Sequence, residues 1–159
     1  MSKEFNVTGK CLPNQHYMAD ISQKLESILQ LVEKGQYFII NRPRQYGKTT
    51  ALDGIANALR KKGNYIVFNL SFEGIGDDAF QSETRFSQKF TRLLAKYGRY
   101  AGLPLTEWFK KAQIEVDDFD FLSDAISDLN ELTTQRIVLL IDEVDQSSNF
   151  DVFIRFLAL

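Results

Sequence analysis

The chain is poor in the residues that build covalent and metal frameworks. Its 159 residues include one cysteine, Cys11, and one histidine, His16. A lone cysteine cannot close an internal disulfide, and the two residues together offer too few soft ligands for a zinc cluster. Three prolines and nine glycines exclude a linker-dominated or low-complexity chain. No apolar run approaches the roughly 20 residues needed to cross a bilayer, so no membrane role is expected. The opening Met1-Ser2-Lys3-Glu4-Phe5-Asn6 has neither the apolar stretch nor the Arg-rich amphipathic pattern of a leader, which makes the cytoplasm the expected compartment. Excess charge is lacking too: 19 Lys+Arg stand against 21 Asp+Glu, a net −2. That excludes a global basic field for nucleic acid and leaves room only for a local basic patch.

What is present is an ordinary globular composition, 44% hydrophobic, 13% aromatic and 25% charged. One continuous domain with one core is expected. Residues 1–18 carry Gly9, Pro13 and Asn14 between short apolar pieces and read as an irregular arm with a short strand pair. Asp20 is then placed to cap a helix over 20–34, where Ile21, Leu25, Ile28, Leu29 and Val32 recur at helical spacing before Gly35. Gln36 to Asn41 reads as a strand buried on both faces. A helix from Thr50 to Lys62 ends at Gly63, and Tyr65 to Leu70 makes a second buried strand, broken by Gly74 to Asp78. Phe86, Phe90, Leu93, Leu94 and Tyr97 predict a helix to about Tyr97, with Gly98 just beyond it. A short helix around Trp108, another over Phe121 to Leu132, and a third buried strand over Arg136 to Ile141 follow. Strands separated by helices predict an α/β fold with a parallel sheet.

Between the first predicted strand and its helix stands Arg42-Pro43-Arg44-Gln45-Tyr46-Gly47-Lys48-Thr49-Thr50. It matches the phosphate-loop pattern G-x-x-x-x-G-K-[ST] everywhere but the first position, where Arg42 replaces glycine. Such a loop needs successive backbone N–H groups aimed at phosphate oxygens, feeding a helix whose N-terminal dipole favours the same negative charge. Gly47 would allow close backbone approach, Lys48 would reach the β- and γ-phosphates, Thr49 would hold Mg²⁺ and Thr50 could bond the α-phosphate. Further on, Val138-Leu139-Leu140-Ile141-Asp142-Glu143 ends a predicted strand in two acids. Asp142 would bind Mg²⁺ through water, and Glu143 would act as the base on the attacking water.

The phosphate loop paired with Leu139-Leu140-Ile141-Asp142-Glu143-Val144-Asp145 resembles the AAA-like, STAND-related P-loop ATPases of prokaryotes, those with an additional catalytic glutamate. The arm from Phe5 to Met18 is similar to the segment preceding the loop in that group. The resemblance implies a P-loop NTPase fold, a parallel sheet sandwiched by helices, with Walker A over 42–49 and Walker B over 138–143. In that class a later, sensor-bearing strand inserts between the strands carrying these motifs. On the resemblance, the chain is the N-terminal portion of the ATPase domain, lacking the sensor strands, second sensor and arginine finger. The implied activity is Mg²⁺-dependent ATP hydrolysis by the full-length protein, with this portion inactive or weak; the alternative is a nucleotide-dependent switch or scaffold with little turnover. Protein partners or self-association would involve the remainder of that domain, and a nucleic-acid role rests on kinship alone.

Several residues have two readings each. Arg42 and Arg44 could touch the γ-phosphate or a neighbouring subunit, or form a structural salt bridge. Tyr17 and Met18 could pack near an adenine or serve as core. Glu73 could meet the Mg²⁺ water shell or solvate its loop. His16 reads as structural, Asp145 as a cap, and Phe80, Phe86 and Phe90 as core in preference to a partner-binding face.

Overall fold

The structure, a computed structural model, describes residues 3–5, 14–17, 21–41, 47–100, 105–144 and 150–159, with the side chains of Tyr100 and Phe150 excepted. It is an α/β chain with six α-helices and a two-stranded parallel sheet among these residues. Its contacts fall into two units, Met1–Gly63 and Asn64–Leu159.

In the first unit, α1 (Ser22–Glu33) and α2 (Lys48–Lys62) pack on one another, and Lys62 pairs with Glu33. The cap position of α1 is Ile21, with no side-chain cap bond, so the expected start at Asp20 is corrected. Helix α2 buries Ala51, Leu52, Ile55, Ala56 and Leu59, a stripe at helical spacing. Its last turn, Arg60-Lys61-Lys62, complements the dipole, and Gly63 ends it at φ 75°, a left-handed geometry natural to glycine. Among the described residues of the arm, Glu4 and His16 form an isolated parallel bridge.

The strand expected over Gln36 to Asn41 is not formed. No ladder pairs this segment among the described residues, and Tyr37 and Ile39 are 93% and 91% exposed. Phe38 and Ile40 are half-buried, so burial alternates with period two. A strand is defined by partners as much as by its own residues, and only the β-propensity is local.

In the second unit, β1 (Tyr65–Ser71) and β2 (Arg136–Asp142) pair in parallel, from Tyr65 opposite Arg136 to Ser71 opposite Asp142. Parallel pairing needs a crossover, supplied here by a 3-10 turn (Asp77–Gln81), α3 (Glu83–Tyr100), α4 (Thr106–Glu115) and α5 (Phe119–Glu131). Helix α3 packs on β1 and on the 3-10 turn, α4 and α5 pack on α3 and on each other, and α6 (Phe150–Leu157) lies against the 3-10 turn. Ile66, Phe68 and Leu70, on one face of β1, join Phe72, Phe80, Phe86, Phe90 and Phe156 in a single core. Phe86 sits at its centre, with ring centroids 4.9 Å from Phe156, 5.6 Å from Phe80 and 5.7 Å from Phe90. Tyr65 and Val67, on the opposite face of β1, are buried as well.

Helix α3 runs through Gly98 to Tyr100, correcting the expected stop at Tyr97. This glycine serves packing. A Cβ there would meet three atoms of the Phe109 ring on α4, the farthest of them at 3.2 Å. The Trp108 indole lies 5.1 Å from the Phe109 ring, edge to face, and donates to the Ala125 carbonyl at 3.0 Å, tying α4 to α5. Asp118 caps α5, accepting from the Phe121 amide at 2.9 Å.

Candidate functional site

The candidate residues fall into two groups, one in each unit. In the first, Gly47 occupies the cap position of α2 at φ 74° and ψ 29°, a left-handed conformation that glycine adopts without a Cβ penalty. It is exposed, nothing stands within 4 Å of where a Cβ would project, and its carbonyl accepts from the Ala51 amide at 2.9 Å. Lys48, Thr49 and Thr50 form the first turn of α2. Lys48 and Thr50 are half-buried and Thr49 is exposed. The early amides of any α-helix lack intrahelical acceptors. Here no side-chain cap bond is made at Gly47 and no acid lies in the first turn. The expected helix start at Thr50 thus moves to Lys48, which puts the lysine at the positive end of the dipole. That costs stability unless an anion is held nearby. Arg42, Pro43, Arg44, Gln45 and Tyr46 lie outside the described residues, as do Met18 and Asp145.

In the second unit, Asp142 and Glu143 stand at the carboxyl end of β2. Asp142 is 8% exposed, closes the register opposite Ser71, and accepts the Glu143 amide on Oδ1 at 2.9 Å. Its carbonyl accepts from the Phe72 amide at 3.0 Å, so the bonding to β1 continues to this strand end. Glu143 is half-buried at φ 57°, the only non-glycine residue with positive φ among those described. For a residue with a Cβ that conformation costs on the order of 1–2 kcal/mol. It turns the chain sharply at the strand end, directly after the first acid. Glu73 follows β1 and is exposed, and its amide donates to Ser71 Oγ at 3.1 Å. Ser71 is thus placed at the same sheet end as Asp142. Nothing in the sequence singled it out, because only the register of the parallel pair brings the two opposite one another.

Comparison with protein-family models, curated proteins and solved structures finds no match for this chain. The two acids therefore rest on their own geometry: a buried carboxylate held by a neighbouring amide, and a second carboxylate carried on a strained turn. Carboxylate oxygens and hydroxyls are the hard donors that suit Mg²⁺, which keeps several waters and takes few protein ligands. Among the described residues there is no cluster of three or more His, Cys, Asp or Glu able to hold a metal alone.

Two cavities among the described residues are lined by other side chains. One of about 320 Å³ in the first unit is walled mainly by Ile21, Leu25, Ile28, Ile39, Ile40 and Ile55, and another of about 330 Å³ lies between α4 and α5 beside Trp108. Tyr17 lies against Phe5 with ring centroids 4.9 Å apart, and Phe80, Phe86 and Phe90 are fully buried in the core.

Proposed function

We propose that the chain is the ATP-binding part of a P-loop, AAA-like ATPase that hydrolyses ATP with Mg²⁺ in its full-length form. The observation that carries this reading is the glycine-capped start of α2, where left-handed Gly47 leads directly into Lys48, Thr49 and Thr50 in the first helical turn. The acids at the carboxyl end of a parallel strand support it independently, since ligands of open α/β sheets bind beyond that edge.

On this reading the first turn of α2 would offer backbone amides and the Lys48 ammonium to phosphate oxygens, and the Thr49 hydroxyl and the Asp142 carboxylate are the hard oxygen donors that the two motifs would supply to Mg²⁺. When bound, the ion neutralises phosphate charge. Glu143, on its left-handed turn at the end of β2, would orient the attacking water and take its proton. Catalysis would be chiefly positioning and charge neutralisation.

Thermal unfolding with and without Mg·ATP tests the binding. At about 100-fold above Kd the ligand adds roughly 2.7 kcal/mol. Lys48→Ala is expected to abolish that gain. A cooperatively folded chain with no gain, or one whose gain survives Lys48→Ala, would overturn the reading. In the full-length protein Glu143→Gln is expected to keep binding and lose turnover.

A further inference from the structure

The net charge of −2 conceals a one-sided helix. Among the described side chains of α3, which leave out Tyr100, the exposed positions are Thr84, Arg85, Arg92, Lys96 and Arg99, and after Thr84 every one of them is a cation. At 100° per residue the four cations fall on one narrow stripe that runs about 21 Å along the helix at 1.5 Å per residue. No acid interrupts it. Glu83 is engaged by Arg155, and Asp78, beside the helix start, is engaged by Lys89 at 2.6 Å. Arg85 contacts Gln81, close enough to Asp78 to help hold its carboxyl below the usual range, and Arg99 Nε donates to the Ala95 carbonyl at 3.4 Å. Arg92 and Lys96 have no ion pair among the described residues. Like charges at i,i+4 and i,i+3 repel, so Arg92, Lys96 and Arg99 weaken the helix that carries them.

We propose that this stripe on α3 binds the phosphodiester backbone of a nucleic-acid duplex, with Arg92, Lys96 and Arg99 as the principal contacts. Three features favour this polyanion over others. The stripe is linear, and its length spans about six base-pair rises of 3.4 Å along one strand. It is arginine-rich, and the guanidinium fork matches phosphate oxygens in pairs. Among the described side chains it includes no exposed apolar residue, whereas protein interfaces are anchored by buried aromatic and aliphatic groups, and the apolar face of α3 (Phe86, Phe90, Leu94) is committed to the core and cannot enter a lipid surface. Contacts made to phosphates alone position a duplex and carry no sequence information, so the binding is independent of sequence. The proposal does not depend on nucleotide binding at Gly47 to Thr50.

The test is fluorescence anisotropy of the whole chain, without nucleotide, against a labelled 20-base-pair DNA duplex and an RNA duplex of the same sequence. Three to four phosphate contacts predict a slope of about −3 in log affinity against log salt. The variant Arg92→Gln/Lys96→Gln/Arg99→Gln should bind on the order of tenfold more weakly at low salt and lose most of that slope. Its thermal midpoint should hold or rise, since the repulsion is gone. A control with the same charge loss at other exposed lysines, Lys24→Gln/Lys110→Gln/Lys111→Gln, should bind as the parent does. A preference for DNA, for RNA, or for neither supports the proposal and identifies which backbone shape fits. No salt-dependent duplex binding, equal binding by the stripe variant, or binding of phosphatidylserine vesicles or polyglutamate as tight as that of the duplexes would overturn it.

Discussion

Two glycines inside helices should respond to alanine with opposite signs. Gly54 lies within α2, and a methyl group there would meet nothing within 4 Å. Gly54→Ala should therefore gain the helix propensity alone, about 0.5–1 kcal/mol. Gly98 lies within α3 against Phe109, whose ring is buried and flanked by Trp108 at 5.1 Å and Phe68 at 6.5 Å between centroids. The ring cannot swing aside without disturbing both neighbours. Overpacking of this kind costs about 1–3 kcal/mol, which outweighs the same propensity gain and leaves Gly98→Ala less stable by about 1–2 kcal/mol. For a chain of this size the thermal midpoint should fall by about 2–8 °C, against a rise of about 1–4 °C for Gly54→Ala. Thermal unfolding followed by circular dichroism reads both. A double variant adding Phe109→Leu should recover part of the loss, because the two changes share one contact. If Gly98→Ala were as stable as Gly54→Ala, the close approach of α3 and α4 would be refuted.

Other outcomes follow from single contacts. Asp118→Ala should cost about 1 kcal/mol in chemical denaturation by removing the cap on the Phe121 amide. Phe86→Ala should cost about 3–5 kcal/mol, the largest effect of any change named here, since this ring meets five other phenylalanines. Ser87 is fully buried and its hydroxyl has no hydrogen-bond partner among the described residues, so Ser87→Ala should be neutral or gain up to about 1 kcal/mol. The Lys89 ammonium bonded to Asp78 holds that carboxyl below its usual value. A depressed carboxylate contributes stability above the ordinary aspartate pKa of about 3.9 and loses it as pH falls through the lowered folded value. Lys89→Met should thus be less stable than the parent at neutral pH, with the gap closing in acid melts.

Much of the fold was legible because periodicity is local. The buried stripes of α2 and α5 follow directly from helical spacing, and β1 and β2 from their β-branched and aromatic runs. The errors came where a residue's role depends on something distant. Gln36 to Asn41 has the composition of a strand but no ladder among the described residues, and pairing is not written in the segment itself. Gly98 resembled a stop signal because glycine usually punctuates helices, whereas its role is set by a ring eleven residues away on another helix. The acids Asp142 and Glu143 were legible as a motif. The left-handed turn at Glu143 was not, since glutamate seldom adopts it. Nor was the stripe on α3, because a balanced total charge says nothing about how the signs are arranged.

The parallel pairing of β1 with β2 also sets a timetable for synthesis. Ile66, Phe68 and Leu70 find their ladder partners at Ile137, Leu139 and Ile141, across all of α3, α4 and α5. A ribosome adds about 5–20 residues per second, so β1 spends roughly 3–13 s in the nascent chain before its partner is made. During that interval it presents an apolar, unpaired edge, the kind of segment that chaperones hold and that other chains can capture. Slowed translation between Ser71 and Arg136 would lengthen the exposure and lower the yield of folded protein, with no change in the sequence at all.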